Sequence, residues 1–198
     1  MLGTKILEER KSRYNGNVKV LRSLGFGTYI QVNNLTQSGG VVESIWRETL
    51  KNLKTKKLKN CLILGLGGGT VAKLIRKYWP ESEITGVEID PVMAELGVRY
   101  LGLGDSKTKI IISDAYDFDS RGFDLVIVDV YCGDNFPKKF EKEEFLNKLT
   151  KNELVIFNRL YFGEKRKEAV KFGNKLKKIF PKVEWYYPQA NLMFICYN

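Results

Sequence analysis

Three carboxylates close short apolar runs: Glu88 after residues 83–87, Asp114 just beyond residues 109–112, and Asp129 after residues 123–128. A fourth run, residues 61–64, closes instead on Gly65-Leu66-Gly67-Gly68-Gly69-Thr70. A strand that turns through glycines into a helix aims backbone N–H groups at whatever lies above the sheet, and a Cβ there would block both the turn and a ligand's approach. An acid at the tip of the next strand, here Glu88, can accept hydrogen bonds from two ribose hydroxyls. Asp114 can accept from the exocyclic amine of adenine while the Ala115 N–H bonds a ring nitrogen, or it can simply cap a short helix. Asp129 ends a strongly apolar strand, so its ionised form needs a partner or its pKa rises. Either condition suits a residue that handles a proton or a substrate amine, and the competing reading is a structural carboxylate held by loop amides. Together these residues read as a nucleoside-cofactor site rather than as tight turns without a ligand. Asp134, in a Gly-Asp-Asn turn, reads as a turn residue.

Composition bounds the chemistry. The chain of 198 residues contains no histidine, which excludes a Ser-His-Asp site, a histidine metal site and an imidazole base. Cys61, Cys132 and Cys196 lack metal-ligand spacing, so no metal site is expected, and a sparse odd count suits reduced thiols in a cytoplasm. No apolar run reaches membrane-spanning length and no signal-peptide pattern is found. Lysine dominates the net charge of +10, and much of it lies in residues 51–59 and 165–178. The second stretch reads as an amphipathic helix with Ala169, Phe172, Leu176 and Ile179 inward, which makes its lysines a solvated face. Nucleic-acid binding is the functional alternative for that charge, and a small-molecule substrate is the favoured partner.

The elements that must position these residues follow from the patterning. Strands are expected near 61–65, 83–88, 108–113, 123–129, 153–158, 183–187 and 192–197, with helices near 69–79, 91–100, 140–149 and 164–179. That alternation predicts an α/β fold: a Rossmann-like doubly wound sheet of about seven strands, mostly parallel, with an antiparallel C-terminal hairpin. Residues 1–57 precede it as a small N-terminal extension, a β-hairpin over residues 19–32 and a helix over 42–53, and residues 58–198 form the nucleotide-binding domain. The hairpin offers a contact for a homodimer.

The spacing Gly65-x-Gly67-x-Gly69, with Thr70 where a dinucleotide fingerprint wants glycine, resembles the first motif of class I S-adenosylmethionine-dependent transferases. With the other strand tips, the chain from about residue 32 to 149 resembles their spermidine-synthase-like family. That family's Asp-Gly-x-x-Gln and Glu-x-x-Tyr-His-Glu segments look like residues 33–37, ending in Gln37, and residues 43–48. The resemblance implies a cofactor, S-adenosylmethionine or its decarboxylated form, held by Gly65, Gly67, Gly69, Glu88, Asp114 and Ala115, with Gln37 and Arg47 near its tail. It puts the catalytic aspartate at Asp129, with Tyr131 a candidate lid or stacking residue. Three departures turn the expectation away from polyamines. Gly68 replaces the loop aspartate that holds an amine, Trp46-Arg47 replaces Tyr-His, and Cys132 replaces a second loop aspartate. Arg47 would suit a carboxylate, and Gly68 would leave space for the methionyl carboxylate of the intact cofactor. The resemblance therefore implies a methyltransferase before an aminopropyltransferase, with a non-catalytic nucleoside-binding protein as a further alternative.

Overall fold

The computed structural model describes residues 3–198. Its large sheet has seven strands in the order β10-β11-β9-β8-β5-β6-β7. These are β5 (Asn60–Leu64), β6 (Glu83–Glu88), β7 (Lys109–Ile112), β8 (Leu125–Val128), β9 (Leu154–Leu160), β10 (Lys182–Tyr186) and β11 (Asn191–Tyr197). The strands from β5 to β9 pair in parallel, and β11 runs antiparallel to both β9 and β10. Strand order reverses beside β5, so β5 and β8 diverge above their carboxyl ends and leave the cleft where ligands sit in such sheets. Both central strands are uninterrupted apolar runs because both faces are covered.

One face carries α1 (Gly40–Lys51) and α2 (Thr70–Tyr78), packed through Ile45, Trp46, Leu50, Val71, Leu74 and Ile75. The other carries α4 (Glu143–Leu149) and α5 (Lys165–Leu176), packed through Phe145, Leu146, Leu149, Ala169, Phe172 and Leu176. Of the inward residues expected of the lysine-rich helix, Ala169, Phe172 and Leu176 are in the core, while Ile179 lies beyond the helix end and only packs half-buried against it. Several of the helix's lysines pair with acids at its border, such as Lys165 with Asp134.

The N-terminal extension has twice the strands expected. A four-stranded antiparallel sheet is formed by β1 (Lys5–Ser12), β2 (Gly16–Ser23), β3 (Gly27–Val32) and β4 (Leu35–Gly39). The outer strands escape sequence reading for physical reasons. β1 alternates charge with charge on an edge exposed to water, and β4 is short and glycine-ended. The sheet buries Val18, Val20, Ile30 and Val32 against Met93, Leu96 and Leu101, from α3 (Pro91–Tyr100) and the residue that caps it. Glu8 of β1 adds hydrogen bonds from Arg99 Nη1 and Tyr100 Oη at 2.9 and 2.7 Å.

α3 in turn sits hard against the glycine loop. A Cβ on Gly97 would lie 2.6 Å from the Gly68 carbonyl oxygen. Glycine-to-alanine in an open helix gains about 1 kcal/mol from helix propensity, whereas a backbone clash costs about 1–3 kcal/mol. Gly97→Ala should therefore lower unfolding free energy by up to about 2 kcal/mol in urea titrations. Stabilisation by the full gain of about 1 kcal/mol expected of an open helix would show that α3 does not press on the loop.

Candidate active site

A cleft of about 410 Å³ opens above the carboxyl ends of β5, β6 and β8, bounded by β4, α1 and the loop between β10 and β11. Of the residues read from sequence, Gln37, Gly65, Gly67, Glu88, Asp114, Ala115, Asp129 and Tyr131 line it. Gly69 and Arg47 do not.

The glycine loop behaves differently from the expected row of free amides. Gly65 and Leu66 donate to the Val87 carbonyl, Gly67 to Glu88 Oε2 at 2.7 Å, Gly68 to Ser38 Oγ at 2.8 Å and Gly69 to the Leu66 carbonyl. Every amide from Gly65 to Gly69 is thus spent inside the protein. Glycine is needed at Gly65 because a Cβ would meet the Asp129 carbonyl oxygen at 2.3 Å, the tip of β8 lying that close to the tip of β5. Gly69 serves the turn alone: it holds φ 85° as N-cap of α2 and packs against Leu103, away from the cleft. Gly68 also corrects the sequence reading. Its missing side chain would point into Ile30 and Leu101, so glycine there makes tight packing and no room for a carboxylate in the cleft. The first-turn amides of α2 at Thr70 and Val71 have no backbone acceptor among the described residues, and both residues line the cleft. A helix N-terminus of this kind holds a single carboxylate well.

Glu88 is the loop's anchor as well as the candidate ribose acceptor. Besides Gly67, its Oε1 accepts from the Asp90 amide at 2.9 Å. Burial raises its pKa against the opposing pull of those amides. A diphosphate at this loop would find its amides taken and a carboxylate among them, which speaks against a dinucleotide and for a cofactor with a neutral or cationic body. Asp90, beyond Glu88, caps α3 through the Val92 amide and seats the β1–β2 turn by accepting from Ser12 Oγ and Asn15 Nδ2. At the far end of the cleft, Asp114 accepts from the Tyr116 amide at 3.0 Å and pairs with Lys139. Burial alone would raise its pKa, but Lys139 and that amide outweigh it and lower it. Asp114 therefore both shapes a turn and faces the cleft, and no helix follows it: the chain runs through turns to β8.

Asp129 gains neutral partners from two directions. Trp46 Nε1–H donates to Oδ2 at 3.0 Å and Asn158 Nδ2 to Oδ1 at 2.8 Å. Asn158 Oδ1 accepts in turn from Asn191 Nδ2 at 2.7 Å. Burial dominates these two donors and pushes Asp129 up to about 6. Tyr131 is a wall residue, not a lid, because its hydroxyl donates to the Asn158 carbonyl at 3.2 Å and accepts from the Leu160 amide at 2.9 Å. Gln37 Nε2 donates to the Gly133 carbonyl at 3.2 Å, tying β4 to the loop after β8. Arg47 falls outside the cleft, on the solvent side of α1. With Trp46 fixed inward, the next residue is turned about a quarter of the way round the helix, and Arg47 instead pairs with Glu43 at 2.7 Å in water. Asn158, Asn191 and Lys139 were not singled out by sequence; only strand pairing and the loop's path bring them here. Among the described residues no cluster of acids, cysteines or histidines could hold a metal ion.

A carboxyl raised from 3.8 to about 6 by folding binds more protons in the native than the unfolded state between those values. Its stabilisation is present below pH 4 and lost as pH rises through 6. Asp129→Asn should then be more stable than the wild type by about 1–2 kcal/mol at pH 8, after discounting the Trp46 N–H it leaves poorly paired, with the gap closing toward pH 4. Urea unfolding across that range checks it, and a gap that widens on acidification contradicts it.

No protein-family model matches the chain. An eEF1A lysine and N-terminal methyltransferase homolog of Drosophila melanogaster is 29% identical over 194 residues, covering 89% of this chain and 28% of that protein. A polyamine aminopropyltransferase of Buchnera aphidicola is 29% identical over 210 residues, covering 95% of this chain and 70% of that protein. The chain thus spans little more than a quarter of the fly protein's length. A crystal structure of spermidine synthase with the transition-state analogue AdoDATO superposes with a TM-score of 0.78 at 19% identity, covering 98% of this chain and 73% of the other. The departures noted at Trp46, Arg47, Gly68 and Cys132 leave that architecture intact. The chain therefore has the spermidine-synthase-like fold of class I S-adenosylmethionine-dependent transferases.

Proposed function

We propose that this chain is an S-adenosylmethionine-dependent methyltransferase that modifies an amine presented at Asp129. The observation that carries the reading is the distribution of charge along the cleft. Its lining carboxylates among the described residues are Glu88, Asp114 and Asp129, and its lining cation is Lys139. Glu88 and Asp114 suit ribose and adenine, Thr70 and Val71 offer amides to a methionyl carboxylate, and Gln37 lines the same cleft. The glycine loop contributes no carboxylate for the ammonium of a decarboxylated cofactor, and Gly68 lies too close to Ile30 and Leu101 to carry one. The cofactor would supply a carbon already activated by a sulfonium. What is left to the protein is alignment, exclusion of water, and a carboxylate that accepts a hydrogen bond or proton from the attacking nitrogen. An Asp129 poised near 6 is ionised at neutral pH and close enough to it to take a proton.

Aminopropyl transfer to a diamine is the second reading. It is favoured by the relative that covers 95% of this chain. Against it, Asp129 is the one carboxylate at the acceptor end among the described residues, and Cys132 stands where a second would help hold a dication. We place the activity in the cytoplasm, on the strength of the buried unpaired thiols of Cys61 and Cys196.

Calorimetric titration with S-adenosylmethionine and with its decarboxylated form tests the choice. The intact cofactor should bind at least about tenfold more tightly, a difference of about 1.4 kcal/mol. Glu88→Gln should weaken it by a similar factor, while Arg47→Ala should leave it unchanged. Preference for the decarboxylated form would restore aminopropyl transfer, and binding of neither would remove the transferase reading.

A further inference from the structure

Asp129 has no donor to give when ionised, and Trp46 Nε1 has no capacity to accept. Those two facts orient the polar atoms around them. Asn158 must turn its amide nitrogen to Asp129 Oδ1, at 2.8 Å, which leaves its oxygen facing β11. There Asn191 Nδ2 meets it at 2.7 Å. Both asparagines are buried at 6% exposure, on adjacent antiparallel strands, so neither can exchange its partner for bulk water. Asn191 Oδ1 has no hydrogen bond among the described residues, is not a buried orphan, and belongs to a residue lining the cleft.

We propose that Asn158 and Asn191 are positioning residues forming a one-directional relay, which carries the polarity of the β10–β11 hairpin to Asp129 and leaves a second acceptor, Asn191 Oδ1, on the substrate side. This deepens the functional reading above and rests on Asp129 being the carboxylate that meets the acceptor. Each Asp129 oxygen keeps a lone pair for the incoming N–H, and the terminal Asn191 oxygen offers an acceptor farther along the wall, beside Gln189 and Ala190. Substrates bearing N–H donors are favoured there, since Asp129 and Asn191 Oδ1 present acceptors. The groups facing Asp129 are few. Trp46 comes from α1, whose charged Arg47 and Glu48 are exposed, and Asn158 comes from β9. Tyr131 lies on its own segment, its phenol pushed up by burial. Behind Tyr131, Arg159 is engaged by Glu141 at 2.9 Å.

The relay can be tested without a substrate, because Trp46 reports on Asp129. The protein labelled with 5-fluorotryptophan gives separate fluorine resonances for Trp46, Trp79 and Trp185, and the Trp46 signal should titrate with a midpoint near 6. Asn158→Leu removes a donor and should raise the midpoint by at least about 0.5 pH unit. Asn191→Leu, which touches nothing on Asp129 directly, should raise it in the same direction by letting Asn158 turn. In the Asn158→Leu background the same Asn191 substitution should add nothing, since its route is gone. An unchanged midpoint in Asn191→Leu, or an equal shift in both backgrounds, overturns the relay. Should Asn191→Leu fail to fold, Asn191→Ser, which keeps a shorter donor, should shift the midpoint less than Asn158→Leu does, and a larger shift overturns the proposal. With S-adenosylhomocysteine bound, n-butylammonium should bind and butyrate should not, Asn191→Leu weakening the former severalfold; equal binding of both ions contradicts the substrate-side acceptor. Failure of S-adenosylhomocysteine to bind would strike the transferase reading itself while leaving the titration result standing.

Discussion

The site depends on placing ionisable carboxyl groups at the ends of buried strands and compensating them with neutral donors. Glu88 and Asp129 end β6 and β8 against apolar layers, where a bare charge would be expelled from the fold or neutralised. The chain answers with amides and an indole instead of lysine or arginine. Gly67 and Asp90 amides hold Glu88, and Trp46 and Asn158 hold Asp129. Neutral donors satisfy a carboxylate without cancelling its charge, so each remains able to attract a cationic or donor-rich ligand.

That choice ties the N-terminal sheet to the carboxyl ends of the strands of the large one. Ser38 of β4 accepts from the Gly68 amide, Thr70 accepts from the Gly39 amide at 2.7 Å, and Asp90 receives Ser12 and Asn15. The extension is therefore part of the glycine loop's support. α1 extends the same logic, since the helix that carries Trp46 to Asp129 also fills the core against α2. The cleft is a joint product of both sheets, which is why a loop with all its own amides satisfied can still be rigid enough to shape a ligand site.

Much of this was legible in the sequence because parallel strands buried on both faces read as short apolar runs with abrupt polar ends. β5, β6 and β8, and the residues that close them, follow directly from that pattern. Helix phase could have placed Arg47 outside, once Trp46 was assigned to the core, and the family's pairing of adjacent residues drew it inward instead. The direction of the Gly68 side-chain vector was beyond reach, as it depends on how α3 and β3 stack on the loop. Asn158 closes one expected strand and Asn191 reads as a turn residue before another, and neither pattern links the two. Only the antiparallel register of β11 on β9 brings them side by side beneath Asp129, and no local pattern encodes that.

The most direct test of the account is product analysis with a doubly informative cofactor pool. The protein would be given S-adenosylmethionine labelled in its methyl group together with decarboxylated S-adenosylmethionine labelled in its propyl chain, and a set of primary amines as acceptors. The account predicts label transfer from the methyl group with release of S-adenosylhomocysteine, abolished in Asp129→Asn. Release of methylthioadenosine with propyl label on the amine would contradict it and make the chain an aminopropyltransferase built around a single acceptor carboxylate.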